Sequence, residues 1–88
     1  MIDLIIPYYN NPDGLLQTLN SVDTYIFNVV VIDDCSTTKP PLSFKVNQYY
    51  RYNINSGPGF SRQHGINKTS NPYIMFIDTG DIFISKEV

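Results

Sequence analysis

The sequence lacks tryptophan, a second cysteine and any cluster of basic residues, and the last two absences exclude classes of protein. With Cys35 alone, the chain cannot form an internal disulfide or a cysteine metal cluster, which favours a reducing compartment. A net charge of −2 without a run of Lys or Arg argues against a nucleic-acid partner. No apolar run is long enough to span a membrane, and Asp3 interrupts the apolar stretch at the N-terminus. We therefore expect a cytoplasmic location, or the cytoplasmic face of a membrane if the full-length protein is tethered to one.

The residues that are present indicate one small globular domain. An apolar content of 42% and an aromatic content of 14% are typical of a folded chain rather than a disordered one. A chain of 88 residues can bury a core of only modest size. Because the sequence stops at Val88, shortly after its most suggestive acidic loop, we expect residues 1–88 to be a truncated part of a longer protein.

Four segments of the sequence predict β-strands. Three are short and apolar, as strands covered on both faces are: residues 2–7, residues 27–32 and residues 73–77. The fourth, residues 45–53, alternates between two sets of side chains, which predicts a two-faced strand at the edge of a sheet. A turn-prone Asn71-Pro72 precedes the last apolar run, which leads directly into the acidic residues 78–81.

Two segments between these strands predict helices. Asn11 suits the N-cap of the first helix and Pro12 its first turn. One apolar face of that helix is expected to carry Leu15, Leu16, Leu19 and Val22. A second helix is expected over residues 58–68, where Gly65 is either a cost to helix stability or a point of close packing against the sheet.

The alternation of strands and helices predicts an α/β fold, a small doubly wound and mostly parallel four-stranded sheet of order 3-2-1-4 flanked by helices. Ligands in such sheets bind beyond the carboxyl ends of the strands, where the order of the strands reverses. Residues 7–10, Asp33 with Asp34, and residues 78–81 should then face one cleft. The acidic residues could hold a cation or sugar hydroxyls, or could simply form turns through their own hydrogen bonds.

Four motifs occur in an order and at intervals that resemble a known family. They are Ile-Ile-Pro-Tyr-Tyr-Asn at 5–10, Val-Ile-Asp-Asp-Cys-Ser at 31–36, Ser-Arg-Gln-His-Gly-Ile at 61–66 and Tyr-Ile-Met-Phe-Ile-Asp-Thr-Gly-Asp at 73–81. Together they resemble the N-terminal, nucleotide-binding half of family-2 glycosyltransferases, inverting enzymes with a GT-A-type, Rossmann-like fold. The resemblance implies transfer of a sugar from a nucleotide-diphosphate donor, UDP-linked, to an unknown acceptor with inversion.

The resemblance also implies which residues bind the nucleotide sugar. The backbone around Pro7 and Tyr8 would line the base pocket. Asp34, with Asp33 beside it, would accept a hydrogen bond from the base imide, since an ionised carboxylate only accepts. Arg62 stands where the family has an arginine near the nucleotide, and its fork of donors suits a phosphate or a base edge.

The acidic loop corresponds to the family's Asp-x-Asp region. There Asp78 would contact the ribose, and Asp78 and Asp81 would hold a divalent metal, Mn²⁺ or Mg²⁺, that bridges the diphosphate. Gly80 stands where the family usually has a middle Asp. Three interpretations stay open: two carboxylates suffice, the metal binds weakly, or catalysis has been lost. The resemblance places the general base in an acceptor half that this chain lacks, so the 88-residue piece alone is expected to be inactive.

Two other functions remain as alternatives. The chain could be a non-catalytic module that binds a nucleotide or nucleotide sugar, or a structural domain on the same fold. The strand from Tyr73 to Ile77 should also present an unpaired apolar edge, which predicts self-association of the isolated chain.

Overall fold

The computed structural model describes residues 1–55 and 57–84 of the chain. The described elements follow the predicted order: β1 (Ile2–Tyr8), α1 (Pro12–Asn20), β2 (Phe27–Asp34), β3 (Gln48–Tyr52), α2 (Pro58–Lys68) and β4 (Tyr73–Phe76). The four strands form one sheet of order β3-β2-β1-β4, and every pair is parallel. The predicted α/β fold and its order 3-2-1-4 are therefore confirmed. Neither of the described helices has the length and apolarity that crossing a membrane requires.

The register of the sheet opens a gap at its carboxyl end. β1 pairs with β2 along its whole length, from Ile2 to Tyr8. β4 pairs with β1 only from Ile2 to Ile5, and one further bond follows from the Ile77 amide to the Ile5 carbonyl at 3.2 Å. The chain after β4 therefore diverges from the last residues of β1. The divergence lies at the predicted place where the order of the strands reverses, between β1 and β4.

The sheet separates a larger core from a smaller one. The larger core packs against α1 and contains the buried residues Leu4, Ile6, Tyr8, Leu15, Leu19, Val22, Phe27, Val29 and Val31. The smaller core lies on the opposite face and contains Ile5, Val30 and Ile32. On that face α2 approaches so closely that a Cβ added to Gly65 would lie 2.4 Å from Ile5 Cγ2. Close packing is thus the reason for a glycine within this helix.

Helix α1 begins where the sequence predicts, but one residue of its predicted apolar face is exposed. The Asn11 side chain accepts a hydrogen bond from the Gly14 amide at 3.0 Å, as an N-cap residue should. Leu15 and Leu19 are buried, whereas Leu16 is 41% exposed and Val22 is buried beyond the end of the helix. The prediction for Leu16 was wrong because residues one apart on a helix lie on different faces.

The two edge strands differ from the sequence-based expectation in different ways. β3 is the predicted edge strand, but it begins at Gln48 rather than at residue 45. Lys45 instead donates from Nζ to the carbonyl of Leu19 in the last turn of α1 and to the carbonyl of Val22 just beyond the helix. β4 was expected to be buried on both faces, yet all four of its residues are 38–69% exposed. Because α2 packs on β1 and β2, it leaves this edge uncovered.

Candidate functional site

A cleft of about 460 Å³ lies at the carboxyl end of the sheet, between the end of β1 and the acidic turn at residues 78–81. Its volume is within the range of pockets that hold small molecules. The lining residues come from three strand ends and from the start of α2: Pro7, Tyr8, Tyr9, Asn11, Asp34, Asn55, Gly57, Ser61, Arg62, Asp78 and Thr79. Asp34 and Asp78 line the same cleft, so the predicted convergence of the strand ends is confirmed.

Asp34 faces the cleft from the last position of β2 and is itself buried. Its Oδ2 atom accepts a hydrogen bond from the Gly57 amide at 2.8 Å, directly before α2. Gly57 has a φ of 85°, a conformation that glycine adopts without strain. The loop before α2 can therefore bring its backbone against the carboxylate, and this contact positions the Asp34 side chain at the wall of the cleft.

Asp33 points the other way, because successive residues of a strand face opposite sides of the sheet. Its side chain is fully buried, accepts from the Ser36 amide at 2.9 Å and accepts from the Tyr49 hydroxyl at 2.5 Å. Burial raises the pKa of Tyr49, and the hydrogen bond to Asp33 and its charge raise it further. Asp33 does not line the cleft, so its placement does not support the predicted contact with a nucleotide.

Pro7 and Tyr8 line the cleft as predicted, although the Tyr8 side chain belongs to the core on the α1 face. Its hydroxyl is buried and forms no hydrogen bond of good geometry with the described residues. Burial raises the pKa of Tyr8, the nearby Asn11 amide opposes this, and the charge of Asp33 adds to it. The Tyr8 side chain is thus part of the core on the α1 face.

Ser36 joins the loops that surround the cleft. Its hydroxyl accepts from the Asn10 amide at 3.0 Å, and its carbonyl accepts from Arg51 Nη2 at 2.9 Å. Asn10 in turn accepts from the Thr37 amide at 2.9 Å. Asn10 and Cys35 both have positive φ, at 44° and 66°, a conformation that is uncommon outside glycine and that Asn adopts more readily than Cys. These bonds fix the ends of β1 and β2 relative to each other.

The acidic turn contributes Asp78 and Thr79 to the cleft. Asp78 forms an ion pair with Arg62, at 2.7 Å between Oδ1 and Nη2, and the two side chains are 56% and 37% exposed. The Asp81 amide donates to the Asp78 carbonyl at 3.0 Å, which closes the turn. Asp81 is exposed and does not line the cleft. Of the two predicted metal ligands, only Asp78 is therefore placed at the site.

The conformation of Gly80 explains why this position carries no side chain. Its φ is 100°, and the nearest atom to an added Cβ would be Asn11 Nδ2 at 3.8 Å. Space is available, but an L-residue at this φ would be strained. A middle carboxylate would therefore require a different turn.

The donor set limits how a metal could bind. Within residues 1–55 and 57–84, no three His, Cys, Asp or Glu side chains converge. Mg²⁺ is commonly held by one or two carboxylates together with substrate phosphates. Asp78 fits that role with a diphosphate as the other ligand, and the described residues do not fit a metal site built from protein alone.

Several cleft residues were not predicted as ligands from the sequence. Asn11 was predicted only as a helix cap, and Gly57 was not predicted to line a site. Ser61 and Thr79 stand inside the resembling motifs but carry no charge that marks a site. Thr18, which holds the acidic turn from α1, has no sequence signal, because its partners are far away along the chain.

Comparison with known proteins gives one family. Residues 3–87 match the family described as Glycosyl transferase family 2. An uncharacterized glycosyltransferase of Rickettsia bellii is 33% identical over 95 residues, covering 99% of this chain and 14% of that protein. The poly(ribitol-phosphate) beta-N-acetylglucosaminyltransferase TarS of Staphylococcus aureus is 29% identical over 99 residues, covering 96% of this chain and 17% of TarS.

The solved structures agree with the sequence relatives. The crystal structure of S. aureus TarS 1-349 in complex with UDP-GlcNAc superposes with a TM-score of 0.76 at 28% identity, over 92% of this chain and 27% of that one. The complex of the same TarS fragment with UDP gives the same TM-score. This chain thus spans less than a third of these proteins. The match over nearly every residue, with the predicted sheet order and cleft, shows that the chain belongs to glycosyltransferase family 2.

Proposed function

We propose that this chain binds the nucleotide part of a UDP-linked sugar, for transfer of that sugar to an acceptor with inversion. The observation that carries the proposal is the convergence of Asp34, Arg62 and Asp78 on one cleft at the carboxyl end of a parallel sheet. The TarS complexes with UDP and UDP-GlcNAc, on a similar fold, support the choice of nucleotide. The acceptor and its general base are not assigned to any described residue.

In this proposal the base lies against Pro7, Tyr8 and Asp34, which all line the cleft. Asp34 would accept a hydrogen bond from the imide N–H of uracil, an interaction that a base without that donor could not make. Its bond to the Gly57 amide orients the carboxylate before the ligand arrives. Because the group is already held in place, less conformational entropy is lost on binding.

The phosphate end is formed by Arg62 and Asp78. The Arg62 guanidinium would donate to the diphosphate, since its planar fork matches phosphate oxygens. Asp78 would hold Mn²⁺ or Mg²⁺ together with the diphosphate, and the cation would neutralise the charge of the leaving group. In the structure Arg62 is the cationic partner of Asp78. We therefore expect metal and nucleotide to bind together, each more tightly in the presence of the other.

Calorimetric titration with UDP, with and without Mn²⁺, tests this proposal. UDP should bind more tightly with Mn²⁺, and Mn²⁺ alone should bind weakly. Equal UDP binding with and without Mn²⁺ would favour the non-catalytic module. The conformation of Gly80 and the position of Asp78 as the one predicted metal ligand in the cleft lining agree with that alternative. No UDP binding under either condition would contradict the proposed nucleotide-sugar site and would leave a structural role for this chain.

We also propose that the isolated chain pairs with a second copy through β4. All four residues of this strand are exposed and apolar, and within the described residues no strand pairs with its outer edge. Such an edge can template pairing with another strand. Met75→Lys should abolish self-association in light scattering, whereas Gln48→Lys at the opposite edge should not. A monomeric wild-type chain at high concentration would contradict this.

A further inference from the structure

Thr18 makes two long-range hydrogen bonds from a fully buried position in α1. Its hydroxyl donates to the Asp81 carbonyl at 2.6 Å and accepts from the Gly80 amide at 2.9 Å. Both partners are backbone groups of the acidic turn, so the hydroxyl holds the main chain of the turn rather than a side chain. A hydroxyl is suited to this because it can donate and accept at once.

Besides the ion pair between Asp78 and Arg62, the turn has few other attachments among the described residues. On the side of the sheet, the Thr79 hydroxyl donates to the Pro7 carbonyl at 2.6 Å. On the side of α1, the Ser21 hydroxyl accepts from the Phe83 amide at 3.0 Å, beyond the turn itself. Asp78, Gly80 and Asp81 are all exposed. Thr18 and Thr79 therefore fix the turn from opposite sides.

We propose that Thr18 is a positioning residue for the nucleotide-sugar site, acting through the acidic turn without lining the cleft. Its hydroxyl fixes the backbone of Gly80 and Asp81, and this fixes where Asp78 and Thr79 stand in the wall of the cleft. The inference rests on the proposed nucleotide-sugar site. It adds a residue outside the cleft that determines the affinity for the nucleotide.

Thr18→Val is the direct test, because valine keeps the shape and removes both hydrogen bonds. We expect the Kd for UDP in the presence of Mn²⁺ to rise about tenfold, as the loss of a donor and an acceptor to a buried site implies. Thr18→Ser should restore affinity to within about twofold of wild type, since the hydroxyl is retained. Amide hydrogen exchange at Gly80 should become faster in T18V and stay slow in T18S.

Val30→Ala is the matched control for general destabilisation. Val30 is fully buried in the core on the α2 face, outside the lining of the cleft. Its truncation should lower the urea midpoint of unfolding by an amount similar to that in T18V, without changing the Kd for UDP. If V30A and T18V weaken UDP binding equally, Thr18 has only a structural role and the proposal is overturned.

Two further outcomes keep this inference separable from the proposed function. If wild type does not bind UDP, the proposed nucleotide-sugar site is wrong. Amide hydrogen exchange at Gly80 then decides whether Thr18 holds the turn, and an unchanged exchange rate in T18V would overturn that role. If T18V does not fold, Thr18→Cys replaces it, because a thiol keeps the volume with weaker hydrogen bonds. An affinity of T18C between those of T18S and the expected T18V supports the proposal, and wild-type affinity overturns it.

Discussion

The two ends of the sheet carry carboxylates in opposite situations. At the amino end, Asp3 is 1% exposed and accepts four hydrogen bonds from the protein. Its donors are the Asn28 side chain at 2.7 Å, the Asn71 side chain at 2.7 Å and the amides of Asn71 and Ser70 at 3.0 and 3.2 Å. This end is closed, because Asn28 on β2 and the turn after α2 supply the donors that a ligand or water would otherwise supply.

At the carboxyl end, Asp34 and Asp78 face a cleft. Asp34 accepts from a backbone amide, and the exposed Asp78 pairs with an arginine that is itself partly exposed. The comparison shows that the residue type does not distinguish a carboxylate held within the protein from one that lines a cleft. What distinguishes them is position, because Asp3 lies beneath the turn that follows α2, whereas Asp34 and Asp78 line the cleft.

The largest expected effect is on stability, at the closed end. Asp3→Ala removes the buried carboxylate that accepts from Asn28, Asn71 and Ser70, and hydrogen bonds to a charged group contribute about 1.5–3 kcal/mol each. We expect the free energy of unfolding to fall by about 3 kcal/mol or more, measured by urea denaturation. UDP affinity of the molecules that remain folded should not change. A loss below about 1 kcal/mol would contradict the structural role of Asp3.

The next effect is on binding, at the open end. Asp34→Asn keeps an acceptor for Gly57 but presents an amide to the cleft, so the Kd for UDP should rise about 10- to 100-fold, as loss of a hydrogen bond to a charged group implies. Asp23→Asn, an exposed carboxylate outside the lining of the cleft, is the matched control and should bind as wild type does. If D34N binds UDP normally, Asp34 does not recognise the base.

A smaller effect is expected at the ion pair. Arg62→Gln removes the charge expected to meet the diphosphate and also frees Asp78 from its cationic partner. The Kd for UDP should rise about fivefold, because exposed ion pairs contribute only about 0–1 kcal/mol. Mn²⁺ alone should bind more tightly than to wild type, because Asp78 no longer pairs with a cation. Calorimetry with each ligand separately measures both. Unchanged Mn²⁺ binding would show that Arg62 does not compete with the metal for Asp78.

The smallest effect is the pH dependence that Asp3 adds to stability. Burial alone would raise its pKa, but the hydrogen bonds from Asn28, Asn71 and Ser70 outweigh burial and hold the pKa below its ordinary value of 3.8. A depressed pKa gives stability that is present above the unfolded value and is lost as the pH falls through the folded one. Asp3→Asn should therefore lose less stability than wild type between about pH 6 and pH 3. Equal losses would contradict the shift.

Much of the fold followed from local patterns. The apolar runs, the N-cap at Asn11 and the strand–helix alternation predicted the elements and their spatial order, because periodicity and capping act between neighbours in sequence. The alternation of a strand also requires that Asp33 and Asp34 face opposite sides. It does not say which side holds the cleft, since that depends on where α2 packs.

The amino-acid sequence by itself determined the parallel sheet, its order and the end at which a ligand would bind, because these follow from the hydrophobic period and from the handedness of crossover connections. Only the tertiary structure decided that Asp34 lines the cleft while Asp33 is buried, that Asp81 turns away, and that Thr18 holds the acidic turn. Those outcomes depend on contacts between residues distant in sequence, which folding alone brings within hydrogen-bond distance.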